Sequence, residues 1–510
     1  MPGPRWPAWL ARPPSGGSDV AGTTVVIGAG LAGLAAAVEL AAAGRDVTVL
    51  EAGPGPGGCC GTATVGEYRF DTGPSVLTMP AVLEDTLGAA GAELSSWLPL
   101  AELDPYYRLA FHDGSQLDVV GGAERMAAEV RRLAGAQEAT RYLRFRRQLE
   151  LLQQAEWGPF VARDVRRLRD LGQPGPLLRL ARLGALRRMS GLAGHYLTDW
   201  RLIRAHTFQA LYVGLDPARA PGIYAVIAYM DTIGGVYIPR RGGMHAVPQA
   251  LASVAAKAGA ELRYGSRAGQ VLAGPSGVTG VRLESGELVR AASVIVTGDL
   301  PAAHRGLLPP SAADWRLRRP HFAPSCLVAH FGLGQRRTGQ PHHTLHLGRD
   351  WTGTFRALTR RGEVQPGPDP SLLVTAPSHD PDAAPPGHAT LSVLEPTANL
   401  RGGHDWAETT PRLRGRLLGR LDQLGYGELA RARAELIVDP PGWAARGHTA
   451  GTPFGLDHRL TQTAWFRPRS AARQVPGLHF AGAGTTPGTG VPMVLISGRL
   501  AARAVLAGRR

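Results

Sequence analysis

The chain has 510 residues, 44% of them apolar and 19% charged, with a net charge of +15 carried almost wholly by arginine, since Lys257 is its single lysine. This composition excludes a disordered or fibrous chain and describes a globular protein with two or three domains and a large core. Cys59, Cys60 and Cys326 are too few for a disulfide framework or a zinc site, and no uncharged apolar run of about 18 residues exists to span a membrane.

Residues 1–20 lack the apolar core of a signal peptide and read as a mobile tail. Thr23–Ile27 is a β-branched run, the pattern of a buried parallel strand, and it enters Gly28-Ala29-Gly30-Leu31-Ala32-Gly33 and an alanine-rich helix. A second apolar run, Val47–Leu50, ends at Glu51. In this order the glycines make a tight turn, admit a pyrophosphate to the backbone and let helix and strand approach closely, and the acid accepts hydrogen bonds from a ribose. The stretch predicts a dinucleotide site of the Rossmann type.

Residues 52–80 are too rich in glycine for a helix and read as a loop with an extended piece at Tyr68–Asp71. Arg108–Val119 alternates around Asp113-Gly114, which predicts a hairpin. From Gly122 to about Gln154 the pattern is helical. Between Arg131 and Arg204 sixteen arginines face six acids, and Leu177, Leu180, Leu183, Leu186 and Met189 recur at a step of three, which precesses around a helix rather than drawing one stripe. An aromatic stretch follows, with Phe208, Tyr212, Tyr224, Tyr229 and Tyr237. Ala246–Gly259 reads as a helix, Glu261–Tyr264 as a strand, 278–290 as a hairpin and Ser293–Thr297 as a buried strand, so the nucleotide domain resumes after an insertion. Beyond Leu300 strands are expected near Cys326–Phe331, Ser371–Thr375 and Thr390–Leu394, and a helix over Pro411–Leu424. The stretch 477–506 is again strand, glycine loop and helix.

The expected fold class is α/β. A discontinuous Rossmann-like domain (21–110, 240–299 and 458–510) carries an inserted α+β substrate- and membrane-facing region (111–239 and 300–457).

Beyond Gly22 the chain resembles the carotenoid desaturases of the phytoene desaturase type. The likeness rests on the glycine fingerprint, on FDTGPSVLTMP at Phe70–Pro80 and on LYVGLDPARAPGIYAVIAYMDTIGGVYIPRRGGMHAVPQAL at Leu211–Leu251. LTQTAWFRP at Leu460–Pro468 and HFAGAGTTPGTGVP at His479–Pro492 complete it. The resemblance implies FAD, with Gly28, Ala29, Gly30, Gly33, Glu51, Gly57 and Gly58 around its ADP part and the backbone of Ala268 at the adenine. It places Gly73, Pro74 and Ser75, together with Gly482, Ala483, Gly484, Val491 and Pro492, near the isoalloxazine. Such proteins usually carry an arginine after Gly57-Gly58, facing the phosphates, where this chain has Cys59. The missing contact, about 1.5–3 kcal/mol, implies weaker FAD binding unless another arginine compensates. Non-covalent FAD is the expectation, with a thioether to Cys59 or Cys60 as the minor alternative.

The implied substrate is a long isoprenoid hydrocarbon, which offers no acidic or carbonyl handle, so positioning and water exclusion matter more than acid–base groups. Phe208, Tyr212, Tyr224 and Tyr229 are the candidate substrate contacts. His206 and Asp231 are able to assist proton loss, yet neither stands out, and the catalytic residue is unassigned. The basic segment matches an anionic membrane surface, giving a cytoplasmic, membrane-peripheral enzyme with quinone or oxygen as final acceptor. No nucleic-acid module and no metal-ligand set accompany the arginines. Alternatives on the same residues are a redox-neutral carotene isomerase, an amine-oxidising flavoenzyme and a flavin-poor lipid-binding protein.

Overall fold

A computed structural model describes residues 22–157, 161, 174–337, 339–377 and 380–508. Thr24–Ile27 is the centre of a five-stranded parallel sheet, flanked by Val47–Leu50 on one side and Ser293–Val296 on the other. Glu261–Arg263 and Leu478–Phe480 form the edges, so three distant stretches of chain make one sheet. The expected return of the nucleotide domain at 246–297 is therefore present. Leu31–Ala42, buried over nearly its whole length, packs between Val491–Leu506 and Ala246–Lys257. Glu39, the one charge in that helix, is buried against Arg499 and Arg503 of the C-terminal helix. An isolated buried carboxylate would cost several kcal/mol, and these two cations remove that cost.

A second, mixed sheet of seven strands runs in the order Ala434–Val438, Ser325–Leu333, Ala389–Thr397, Leu372–Thr375, His343–Leu347, Tyr107–Phe111, Gln116–Val119. The predicted hairpin is its last pair, so the boundary drawn at 110 falls inside a strand. Helices Ala123–Ala134 and Ala136–Glu156 break at Gly135, whose φ is +89°, and pack with Met189–Tyr196 and Ala225–Thr232 over this region. The step-of-three leucines do not form one helix. Pro174–Arg182 ends, a turn follows, and a new helix starts at Met189. Tyr68–Asp71 is extended as expected but pairs with Thr62–Val65, and Pro80–Gly88, expected as the end of a loop, opens a helix. The tail at 1–20 and part of the basic segment lie outside the described residues.

Candidate functional site

The two sheets enclose one cavity of about 1540 Å³. At one end it is lined by Gly28, Gly30, Glu51, Gly57, Gly58 and Ala268. Further in come Gly73, Pro74 and Ser75, and opposite them Gly482, Ala483, Gly484, Val491 and Pro492. Thus fourteen of the sixteen residues expected around the cofactor share this cavity. Ala29 and Gly33 do not line it and serve one layer back. The Ala29 N–H donates to Glu51 Oε2 (2.8 Å) and the Gly53 N–H to Oε1 (2.7 Å), which fixes the carboxylate at the end of its strand. A Cβ on Gly33 would stand 2.0 Å from the Gly28 carbonyl oxygen, so this contact between helix and turn requires glycine. The same holds at Gly73, where a Cβ would lie 1.7 Å from the Cys59 carbonyl. The rim of bare glycine backbone beside a helix start, with a strand-end carboxylate, fits the ADP half of a dinucleotide.

Cys59 opens onto the cavity, with Sγ 3.8 Å from His448 Nε2. Burial among protein atoms, then the nearby Asp299 charge, pushes its thiol up to about 11. Burial raises Cys60 further, and its thiol donates to the Met244 carbonyl (3.1 Å). A raised thiol pKa disfavours at both cysteines the thiolate that attachment to a flavin would need. A cation near the missing arginine is available. Arg446 lines the cavity two residues from His448, stacks on Trp443 at 5.2 Å, and pairs with no carboxylate among the described residues.

The far end is apolar and aromatic. Phe208, Tyr212 and Tyr224 line it, with Phe208 meeting Tyr212 edge-on at 5.7 Å. Tyr229 does not line the cavity. It is half-buried against the helical layer, because the helix Ala225–Thr232 turns it away from the face that carries Ile227, Met230 and Asp231. His206 is likewise outside the lining. Its Nδ1 is held by the Leu202 carbonyl (2.9 Å), and burial lowers its pKa to about 4. Asp231 does reach the cavity.

Several groups in the lining or behind it were not legible from the sequence. His343, held neutral by burial with its pKa near 3, bonds Ser75 Oγ through Nε2 (3.0 Å) and His342 through Nδ1 (2.9 Å). Glu156, at a helix end, is pushed up to about 8 by burial. Arg467, 2% exposed, fans hydrogen bonds onto the carbonyls of Leu456, Asp457, Gln462, Ala483 and Thr485. It ties the LTQTAWFRP segment to the glycine-rich loop. The only sequence signal for this role was the arginine within that motif.

A parallel nucleotide sheet with a glycine cradle, opening into an apolar chamber, defines a flavin-dependent oxidoreductase. The chain belongs to the family described as flavin containing amine oxidoreductase, which matches residues 31–506. It is 45% identical over 486 residues to a phytoene dehydrogenase of Streptomyces griseus, covering 94% of both chains. It is 36% identical over 484 residues to a zeta-carotene-forming phytoene desaturase of Myxococcus xanthus, covering 93% of this chain and 92% of that one. Putrescine oxidase in complex with putrescine shares the fold, with a TM-score of 0.61 over 95% of this chain and 99% of that one at 15% identity. The cofactor is FAD.

Proposed function

We propose that this protein desaturates a long isoprenoid hydrocarbon, phytoene or a near relative, in carotenoid biosynthesis. The observation that carries the reading is the continuity of one cavity from the glycine cradle to the apolar end at Phe208, Tyr212 and Tyr224. FAD bound in that cradle supplies a two-electron acceptor for hydride. The chain's part is to hold the hydrocarbon, and each buried CH₂ contributes about 0.8 kcal/mol toward that. The tyrosines that line the chamber present ring faces and keep water from the reacting carbons. Amine oxidation is disfavoured because Lys257, the base such enzymes commonly place by the flavin, sits over Trp97 at 5.4 Å and does not line the cavity.

The sixteen cofactor residues above are assigned to FAD, fourteen of them by the cavity's nucleotide rim and its two loops and Ala29 and Gly33 by the contacts behind them. Phe208, Tyr212 and Tyr224 are assigned to the substrate, and quinone or oxygen to reoxidation. No helix among the described residues is long and apolar enough to cross a membrane. A lipid surface is proposed as the source of substrate, because Leu178 and Leu186 stand 51% and 84% exposed among exposed Arg179, Arg182, Arg187 and Arg188. Apolar residues flanked by cations suit an anionic bilayer face.

Expression in a phytoene-accumulating bacterium tests both parts. A coloured product of longer conjugation, with the protein released from the membrane pellet by high salt, is the expected result. Colourless cells holding soluble, FAD-loaded protein would refute the desaturase reading, and coloured cells with protein soluble at low salt would refute the membrane reading alone.

A further inference from the structure

Desaturation removes a hydride and a proton from neighbouring carbons, so some group must receive the proton. Most carboxylates that line the cavity are committed elsewhere. Both oxygens of Glu51 accept backbone N–H groups, Asp71 accepts from Met244 N–H (2.9 Å), Asp299 caps a helix through Ala302 N–H (2.9 Å), and Asp380 pairs with Arg69. Asp231 differs. It is 8% exposed, its Oδ1 accepts from Gln209 Nε2 at 3.2 Å, and the buried Tyr107 hydroxyl lies beside the carboxylate. A carboxylate on the cavity wall with no cation beside it among the described residues keeps a lone pair able to take a proton. Glu156 also lines the cavity and has a bare oxygen, but Asp231 is the one whose helix leads into the strand paired beside the Gly73–Ser75 loop.

The place of Asp231 in the fold ties it to the reacting end. Its helix leads into strand Val236–Pro239, which pairs with Leu77–Thr78 directly after the Gly73–Ser75 loop. Tyr107 faces it from the seven-stranded sheet. That ring meets Phe208 edge-on at 6.1 Å, and the register of Arg108 with Thr344 sets His343, the partner of Ser75, beside it.

We propose that Asp231 takes the proton lost by the hydrocarbon in desaturation, an inference that rests on the function proposed above. One C–H bond gives its electron pair as hydride to FAD. The pair of the adjacent C–H bond becomes the new π bond, and its proton passes to Asp231 Oδ2. The substrate is oxidised by two electrons, FAD is reduced by two, and the carboxylate becomes a carboxylic acid. Only Tyr107 and Tyr212 face Asp231 as titratable groups, and no charged side chain does. Burial therefore holds its pKa well above the usual carboxylate range. Burial disfavours the ionised form and makes the carboxylate a better base than an exposed one, so the rate rises with pH while the acid form dominates.

Anaerobic bleaching of the flavin by a supplied polyene, followed from about pH 6 to 9, tests this in the FAD-loaded enzyme. The wild-type rate is expected to rise with pH over the part of that range in which Asp231 ionises. Asp231→Asn, which mimics the uncharged acid, is expected to slow bleaching about 10²–10⁴-fold and to flatten the profile. Its bound flavin and its retained polyene, both read by absorbance, should stay at wild-type levels. Asp231→Glu should restore much of the rate and keep the slope. A wild-type rate flat with pH, or an Asn variant within threefold of wild type, overturns the proposal. A wild type that holds FAD yet is bleached by no polyene defeats the desaturase reading itself, and this proposal with it.

Discussion

Alanine at Gly33 is expected to give a protein that purifies without flavin. The added Cβ would stand 2.0 Å from the Gly28 carbonyl oxygen and 3.1 Å from Thr297 Oγ1. Neither the turn nor the sheet beneath it yields easily, because Thr297 Oγ1 is itself bound to the Ile27 carbonyl (2.9 Å). The helix Leu31–Ala42 must therefore shift, and its first N–H groups leave the position where the pyrophosphate is expected. Two charge-assisted hydrogen bonds lost at about 1.5–3 kcal/mol each weaken FAD binding by roughly 10²–10⁴-fold. Flavin absorbance per protein, with titration of the deflavinated chain, measures the effect. Gly415→Ala, on a helix surface where a Cβ meets nothing, is the control and should keep its flavin. Full retention by the Gly33 variant would show that the cradle is not the phosphate site.

Methionine at Arg467 is expected to cost about 3–5 kcal/mol of stability, the order seen when a buried charged hydrogen-bonding group is removed. The guanidinium reaches Ala483 O at 2.6 Å and Thr485 O at 3.1 Å, with the remaining bonds going to Leu456, Asp457 and Gln462. Burial lowers its pKa to about 10, so it stays charged at neutral pH. Truncation leaves those carbonyls without a donor and frees the 482–492 loop. Lysine should not rescue it, because one ammonium cannot reach five carbonyls set in a fork. Denaturant unfolding with and without added FAD checks this, and the larger loss should appear with FAD present. Equal unfolding midpoints for variant and wild type would remove Arg467 from the positioning of the loop.

The nucleotide half was readable because local rules and tertiary structure agree there. A β-branched run, spaced glycines and an alanine helix each have one structural use, and Val47–Leu50 was bounded to the residue. The second sheet was harder. HTLHL at His343–Leu347 looks polar, yet all five residues are buried, because histidines are spent on Ser75 and on Tyr426. Pro411 was read as a helix start, whereas Asp405 caps the helix at Trp406 by accepting the Ala407 N–H (2.9 Å). In the site, Tyr229 and Asp231 lie two residues apart on a short helix, and only the packed structure says which one meets the cavity. Glu39 is the one charge in an otherwise apolar helix, and only the packed structure brings Arg499 and Arg503 against it from the far end of the sequence.

The outer strand Leu478–Phe480 and the helix Val491–Leu506 cover elements made hundreds of residues earlier. A nascent chain therefore leaves the ribosome with the alanine-rich helix uncovered and one sheet edge unpaired. Until the distant stretch is synthesised, that surface invites chaperones or wrong partners. Cofactor capture therefore waits until the stretch 478–506 has been made and folded back.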